Sequence, residues 1–337
     1  MNRHASPGLW TLAWRRLRAD RIAMVSLAVV ALFLALLVLS ASGLVVADWE
    51  DEVAVSYAPP SFLGAPGVDA QAAVNVRADS TNPFDPLAGD IAAIEAQLQR
   101  DPASAGAQVP KRDTLPFGAD KWGHDVIKKT IKGAQTSIVV GLVAALLAVT
   151  LGTLFGAVAG YFGGVVDDVF NWFYSIFTSI PSILMILTVA AVLQQKGVMT
   201  IVLILGLTGW TGPFRLIRAE YMKHKAREYV MAADAIGASH LRKMFSHIFP
   251  NVSHVALVQV SILVVGFIKA EVILSFLGFG VPVGVVSWGS MLNEAQNELI
   301  LGKWWQLTAA ALAMAVLVTA FSLLTDALRD ALDPKLK

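Results

Sequence analysis

The sequence predicts an all-α membrane protein with six transmembrane helices. Of its 337 residues, 56% are hydrophobic and only 15% are charged, whereas soluble domains carry about 25% charged residues. The hydrocarbon core of a bilayer is about 30 Å thick, so a helix needs roughly 20 apolar residues to cross it. Six apolar segments meet or approach that length, and only the fifth contains charged residues. They comprise residues 22–46, 137–161, 169–193, 198–214, 252–277 and 305–324.

The distribution of basic residues predicts that both termini are cytoplasmic. Cytoplasmic loops carry an excess of Lys and Arg close to the spans. The N-terminal tail contains five arginines, the loop after the fourth span contains seven basic residues, and the C-terminal tail contains three. The short connections on the opposite side hold Lys196 and Lys303. The expected divisions are a tail (1–21), the first span (22–46), a periplasmic insertion (47–136), a five-helix core (137–326) with a cytoplasmic loop (215–251), and a tail (327–337).

The first apolar segment has two interpretations. A cleaved signal peptide has an apolar region of about 7–15 residues. Residues 22–46 exceed that length without a charge, which favours a span that is retained in the protein.

The periplasmic insertion is polar and contains many prolines. A helix is predicted over residues 90–100, because Ile91, Ile94 and Leu98 recur at helical spacing. A second helix, over residues 125–134, has apolar and lysine-bearing faces and is typical of a helix that lies in the membrane interface. Its apolar face comprises Val126, Ile127, Ile131 and Ala134, and its basic face comprises Lys128, Lys129 and Lys132.

Two features of the second and third spans indicate helix packing within lipid. Gly152, Gly156 and Gly160 recur every four residues, a spacing that allows another helix backbone to approach closely. Pro181 lies in the middle of the third span. Because proline removes a backbone N–H, a kink is expected there.

Residues 215–251 form the most informative loop. It is far longer than a simple connection and has a net charge of about +4. Loops beyond about 12–15 residues usually have a function. The pattern predicts two short helices, 227–236 and 238–249, joined by a sharp turn at Gly237, and Pro250 is expected to end the second helix. Composition alone leaves two interpretations open, a knob that enters a partner's groove and an amphipathic loop on the lipid surface.

This loop contains the sequences EYVMAADAIGAS (residues 228–239) and HIFPN (residues 247–251), which together resemble the EAA signature of ABC-importer permeases. Met231 stands where the signature has a glutamate, and Glu228 lies one turn earlier. The resemblance implies that the loop docks onto ATPase subunits. The residues expected to couple to them are Glu228, Tyr229, Ala232, Ala233, Ile236, Gly237 and Pro250.

Five further stretches resemble the C-type permease subunit of dipeptide, oligopeptide and nickel importers. They are FGADKWGHD (117–125), GYFGGVVD (160–167), LSFLGFG (274–280), SWG (287–289) and DALRDALDP (326–334). The resemblance implies a type I importer permease in a bacterial inner membrane, which forms half of a path for peptides and works by alternating access. Its implied partners are a second homologous permease, two ATPase subunits or domains and an external binding protein. Nickel or another small solute is the alternative cargo.

Several kinds of chemistry are not expected in this chain. It contains no GxxxxGK[ST] phosphate loop, so ATP and Mg²⁺ are expected in partner subunits and no cofactor or enzymatic activity is expected here. It has no cysteine. His240, His247 and His254 are spaced by seven, but Pro250 is expected to interrupt their alignment, so no metal site is predicted. A net charge of +1 argues against nucleic-acid binding through bulk basicity.

Polar residues near the spans are candidates for other contacts. Charged groups within a span face protein or water by default, so Glu271 is expected to face protein or the translocation path. Gln259, three turns earlier on the same helix, is another residue expected to line that path. Trp288 and Asn293 are expected to contact the binding protein. The rival hypothesis is a stand-alone, ion-coupled secondary transporter, which would show inverted repeats and midplane acids; neither is visible in the sequence. A membrane-embedded enzyme is a third hypothesis, disfavoured because no paired catalytic groups lie in the spans.

Overall fold

A computed structural model describes residues 9–64, 89–90 and 111–332. Within these residues, the regular secondary structure is helical apart from isolated β-bridges, which confirms the all-α prediction. Nearly all of the helix expected over residues 90–100 lies outside the described residues. The α-helices are α1 (Leu9–Ala19), α2 (Arg21–Ala41), α3 (Val126–Phe162), α4 (Gly164–Thr178), α5 (Ser182–Leu193), α6 (Val198–Thr208), α7 (Thr211–Lys225), α8 (Glu228–Ala235), α9 (His240–Phe276), α10 (Trp288–Ile300) and α11 (Trp305–Leu332).

Six membrane crossings account for the arrangement of the helices. In the described part of the chain, α2, α3, the pair α6 and α7, α9 and α11 are each long and apolar enough to span a bilayer, and α4 with α5 forms a sixth, bent span. The side chain of Arg16 in α1 donates a hydrogen bond to the carbonyl of Ala331 at the end of α11, over 3.3 Å. Because an even number of crossings returns the chain to its starting side, this contact agrees with six spans.

The second span is longer than predicted. Residues 125–134 do not form a separate interfacial helix, because they are the first turns of α3, a helix of 37 residues. The Asp125 side chain accepts hydrogen bonds from the N–H groups of Ile127 and Lys128 and so caps the start of α3. At about 1.5 Å per residue, α3 measures about 55 Å and extends beyond the hydrocarbon core.

The glycine ridge of α3 packs against α7 of the same chain. A Cβ atom on Gly152, Gly156 or Gly160 would lie 2.5–2.7 Å from a backbone oxygen of Trp210 or of α7. Only glycine permits this approach, which confirms the close helix contact predicted from the spacing. Beyond the ridge, the guanidinium of Arg218 donates two hydrogen bonds of 2.5 Å to the Asp167 carboxylate.

Two of the spans are interrupted. The helices α4 and α5 meet at an angle of 82° across residues 179–181, so the kink expected at Pro181 is a complete break. The helices α6 and α7 are separated at Gly209 and Trp210. A Cβ atom on Gly209 would lie 2.3 Å from the Phe267 ring, so α9 packs closely against this second break.

The described part of the insertion forms a small cap, residues 47–64 and 111–125, at the start of α3. Isolated bridges pair Ala54 with Arg112 and Pro60 with Leu115. The indole N–H of Trp305, the first residue of α11, donates to the Ala119 carbonyl over 2.7 Å. The cap therefore rests on the starts of α3 and α11, whereas the loop between α7 and α9 lies at the other end of the bundle.

Candidate functional site

The predicted two-helix loop is present as a hairpin, residues 228–248, at the far end of α3. Its first helix, α8, ends at a turn in which Gly237 has a φ of +78°. The Ala238 N–H donates to the Ala233 carbonyl over 3.0 Å. Ser239 then caps the start of α9 by accepting a hydrogen bond from the Arg242 N–H. The sharp turn predicted at Gly237 is confirmed, because its positive φ favours glycine.

The inner face of the hairpin is fixed to the bundle. Val230 packs in a buried cluster with Tyr221, Met244 and Ile248. The Tyr221 hydroxyl donates to the Met244 carbonyl over 3.2 Å. The hydroxyl of Tyr161, near the end of α3, lies 2.9 Å from Nδ1 of His240.

An ion pair also joins the two arms of the hairpin. The Lys243 ammonium donates to the Asp234 carboxylate. Attraction and hydrogen bonding to Lys243 hold the pKa of the Asp234 carboxyl below its usual value. The hairpin is therefore built to move with the spans as one unit.

The outer face of the hairpin is apolar and exposed. Ile236 at its tip is 84% exposed and Met231 is 54% exposed. Tyr229 and Ala232 are also exposed, whereas Ala233 is buried on the same side of α8 as Val230. Ala232 and Ala233 were both expected to couple to ATPase subunits, but successive helical residues point about 100° apart. The structure therefore corrects the position of Ala233 and leaves Ala232 as the exposed small residue.

Pro250 does not end a helix, contrary to the sequence prediction. The chain stays helical from His240 to Phe276, with a π-helical turn at Lys243–Ile248 just before the proline. The Phe249 N–H donates to the Met244 carbonyl, five residues back. This turn changes the hydrogen-bond register where the Pro250 N–H is missing, so the helix continues. Glu228 is exposed in the first turn of α8, and its role in place of a glutamate at position 231 stays a prediction.

Glu271 is fully buried and holds neighbouring elements together. Its carboxylate accepts hydrogen bonds from the hydroxyls of Ser137 (2.6 Å) and Ser275 (2.7 Å). The Ser137 oxygen accepts from the Trp288 N–H, and the Ser275 oxygen accepts from the Val281 N–H. Glu271 thus ties α3 and α9 to both ends of the segment before α10. It faces protein, and it does not line an open path in this chain.

The two residues expected to contact a binding protein lie in different environments. Trp288 has 0% exposure, and its indole N–H donates to the Thr130 carbonyl over 3.1 Å. Its side chain is therefore a core group rather than a surface contact, which corrects that expectation. Asn293 is exposed, and its side-chain amide donates to the Phe276 carbonyl over 2.6 Å at the end of α9. Its contact with a binding protein stays a prediction.

Gln259 lies in α9 beside the break between α6 and α7. A Cβ atom on Gly212 would lie 3.9 Å from the Gln259 carboxamide oxygen. The side chain is largely buried and makes no hydrogen bond to the described part of the chain. Its expected position on the translocation path stays a prediction.

Comparison with known families agrees with this architecture. A family described as "Binding-protein-dependent transport system inner membrane component" matches residues 152–337, more than half of the chain. The chain belongs to this family. A second family, the N-terminal TM domain of oligopeptide transport permease C, matches residues 8–60 of the permease. The family resemblance and the type I importer permease fold predicted from the sequence are confirmed, and the chain is a multi-pass membrane protein with a transport role.

Named relatives cover much of the permease. It is 31% identical over 323 residues to the dipeptide transport system permease protein DppC of Lactococcus lactis, which covers 96% of this chain and 90% of the relative. It is 37% identical over 221 residues to DppC of Bacillus subtilis, with 66% of this chain and 69% of the relative covered. The oligopeptide transport system permease protein OppC of Salmonella typhimurium is 37% identical over 219 residues, with 65% and 72% covered.

The permease also contains a buried ionic cluster that sequence analysis missed. The Lys129 ammonium donates to Asp120 over 2.7 Å, to Glu294 over 2.6 Å and to Gln306 over 3.3 Å. Burial alone would raise the pKa of Asp120, but attraction and hydrogen bonding to Lys129 lower it below its usual value. The cluster joins the cap to α3, α10 and α11. Its signal in the sequence was the stretch FGADKWGHD, which contains Asp120 and lies close to Lys129, but the other two partners of Lys129, Glu294 and Gln306, are far away in the chain.

Glu298 lies next to this cluster without a hydrogen bond. Its side chain is 2% exposed, and neither carboxylate oxygen has a hydrogen-bond partner in the described part of the chain. Burial raises the pKa of Glu298 to about 7. Attraction by Lys129 opposes this shift, and repulsion from Asp120 and Glu294 adds to it. The cap end of the permease thus contains more buried acids than bases.

Proposed function

We propose that this chain is a permease subunit of a peptide-importing ABC transporter and that the hairpin couples it to ATPase subunits. The single observation that carries the coupling role is the structure of the hairpin. Its inner face is fixed to α3, α7 and α9, while its outer face exposes Met231, Ala232 and Ile236. An apolar face held in place by a fixed base suits insertion into a groove on a partner. The names of the relatives support a peptide cargo.

The hairpin has two connections to the spans. Through Tyr221 it contacts α7, which packs backbone to backbone on the glycine ridge of α3. Through the π-helical turn it continues directly into α9. A displacement of the hairpin would therefore move three spans together, because close-packed helices shift as units. This arrangement is suited to alternating access driven by the partner ATPases.

The remaining parts of the transporter belong to partner proteins. The proposed partners are a second homologous permease that supplies the other half of the path, two ATPase subunits or domains that bind ATP and Mg²⁺, and an external binding protein near Asn293. This chain itself binds no cofactor in the proposal. The hairpin and both termini lie in the cytoplasm, as the excess of basic residues supports, and the cap faces the outside of a bacterial inner membrane.

Two neighbouring alanines test the coupling role. Ala232→Asp places a charge on the exposed face, so we expect the ATPase to be lost on copurification while the unfolding temperature of the permease stays unchanged. Ala233→Asp buries an unpaired charge inside the hairpin, so we expect the permease itself to lose thermal stability. Full recovery of the ATPase with Ala232→Asp would contradict docking at this face.

Reconstitution tests the transport role. The complex with its ATPases and binding protein should take up radiolabelled di- or oligopeptides into proteoliposomes only when ATP is present. Uptake by the purified chain alone, driven by an ion gradient, would identify the secondary transporter instead. Uptake of nickel without uptake of peptides would retain the family role and overturn the peptide cargo.

A further inference from the structure

A cavity with a mixed apolar and hydroxyl-bearing lining lies where the third span is broken. Its volume is about 250 Å³, and it is bordered by the ends of α4, α5, α6 and α7. Half of its lining residues carry a hydroxyl group, and none is charged. The hydroxyl-bearing residues are Thr178, Ser182, Thr208 and Thr211. Irregular backbone at membrane depth is tolerated where it is buried in protein or faces a water-filled cavity.

The cavity offers hydrogen-bonding groups that the permease does not use itself. Pro181 has no N–H, so the carbonyl of Phe177 lacks the donor that it would have in a continuous helix. The hydroxyls of Ser182 and Thr211 make no hydrogen bond to the described part of the chain. Thr178 and Thr208 donate to the carbonyls four residues back. Their oxygens remain able to accept a hydrogen bond from another molecule.

Gln259 does not line the cavity, but its side chain adds a hydrogen-bonding group beside it. Its carboxamide oxygen lies 3.9 Å from the Cβ position of Gly212, the residue after Thr211. A carboxamide carries two donors and one acceptor oxygen, and this one makes no hydrogen bond to the described chain. The unused groups therefore lie on three successive spans, at the positions where two of them are interrupted.

We propose that this cavity is a subsite that binds the backbone amide groups of a peptide during its passage. This inference rests on the proposed peptide cargo. The hydroxyl oxygens would accept from peptide N–H groups, while the Ser182 and Thr211 hydroxyls and the Gln259 amide would donate to peptide carbonyls. Every peptide presents these groups, and the uncharged lining cannot discriminate between acidic and basic side chains. The subsite therefore accepts peptides of different sequence.

The size of the cavity limits what it holds. Pockets that enclose small ligands measure about 300–1,000 Å³, and this cavity is smaller than that range. It therefore holds one short section of a longer peptide. Such partial contact favours passage, because a path that bound the whole peptide tightly would release it slowly.

Cysteine labelling provides a direct test, because the chain has no cysteine of its own. Ser182→Cys places one thiol in the cavity. Thr188→Cys serves as a control, since Thr188 lies on α5 two turns away, is exposed and does not line the cavity. In the assembled complex held open by a non-hydrolysable nucleotide, we expect excess peptide to slow thiol labelling at position 182 and not at 188. Equal labelling with and without peptide at position 182, or equal protection at both positions, would overturn the subsite.

Transport kinetics test the chemistry of binding. The double variant Ser182→Ala, Thr211→Val removes two hydroxyls, each expected to cost about a twofold to tenfold loss in peptide recognition. We expect KM for a tripeptide to rise by roughly tenfold while ATP hydrolysis without peptide is unchanged, and Thr188→Val to leave KM unchanged. For a tripeptide with N-methylated amides, KM should rise much less between the wild type and the double variant.

The ratio of KM in the double variant to KM in the wild-type complex tests the subsite separately from the proposed function. It cancels the contribution of the binding protein, which is the same in both complexes. Peptide uptake by the wild-type complex with no change in KM in the double variant would overturn the subsite and leave the proposed function standing. Absence of peptide uptake by the wild-type complex would overturn the proposed function itself.

Discussion

At the hairpin end of the permease, two ion pairs each match one acid with one base, whereas at the cap end several acids surround one lysine. Asp167 pairs with Arg218, and Asp234 pairs with Lys243. At the cap end, Lys129 contacts both Asp120 and Glu294. Glu298 adds a third acid, which is buried and has no hydrogen bond of its own.

This difference fits two mechanical roles. Matched pairs at the hairpin end hold short segments in fixed positions, so a displacement of the hairpin would move the spans with it. The unequal cluster at the cap end depends on one cation and on the protonation of one acid. The stability of this cluster therefore varies with pH, because the interaction between buried charges is large and an acid takes part in it as a charge only when it is ionised.

Removal of the buried lysine should have the largest effect. Lys129→Met leaves the buried Asp120 and the partly exposed Glu294 without their shared cation, and removal of one partner from a buried ion pair costs about 3–5 kcal/mol. We expect a large fall in the unfolding temperature of the purified complex, measured in detergent. Lys128→Met is a matched control, because the neighbouring Lys128 makes only an exposed pair with Asp48, and it should have little effect.

The double variant Lys129→Met, Glu294→Gln keeps this prediction testable if the single variant does not fold. It removes one of the charges left without a partner and should recover part of the lost stability. Equal stability of Lys129→Met and Lys128→Met would show that the cluster does not hold the cap, and the comparison between the two ends would fail.

Backbone strain at Gly237 should produce a smaller effect that is confined to coupling. Valine at a positive φ costs roughly 1–2 kcal/mol, and no other atom lies near a Cβ at this position. We expect Gly237→Val to insert normally and to hydrolyse ATP while it transports less peptide for each ATP consumed. Gly43→Val is the control, since Gly43 has a similar φ of +72° in open space but follows the first span. An unchanged transport ratio in Gly237→Val would contradict the role of the hairpin turn.

The sequence alone predicted those features of the permease that depend on local signals. The apolar segments, the glycine ridge, the interruption at Pro181 and the turn at Gly237 each follow from residues close together in the chain. The helix through Pro250 was missed, because a proline indicates a stop unless a π-helical turn before it changes the register. The prediction of a separate interfacial helix was wrong, because residues 125–134 can equally begin a longer helix.

Features that depend on distant residues could not be predicted. Which of Ala232 and Ala233 is exposed is decided by the packing of α8 against Tyr221 and Met244. Lys129 meets Glu294 across 165 residues of sequence, whereas its neighbours in the chain predicted a place on the basic face of an interfacial helix. The burial of Glu271 required two serines from different helices, and without them a glutamate near a span suggested a path-lining residue.

The smallest expected effect concerns pH and distinguishes the two ends most directly. Burial raises the pKa of Glu298 to about 7, above its usual value of 4.5. Folding therefore favours the protonated carboxyl, so its stabilising contribution is complete below pH 4.5 and is lost as pH rises through 7. Above that pH, a third negative charge faces Asp120 and Glu294, with Lys129 and His124 as the nearby basic groups.

Glu298→Gln should remove this dependence. We expect the unfolding temperature of the wild-type complex to fall from about pH 6 to about pH 8 more steeply than that of the variant. Glu220→Gln at the hairpin end, where Glu220 pairs with Lys223 at the surface, should retain the wild-type slope. The other titrating groups, including His124, are shared by all three proteins, so the difference between their slopes isolates position 298. Identical slopes in wild type and Glu298→Gln would mean that the cap end is as insensitive to pH as the matched pairs of the hairpin end.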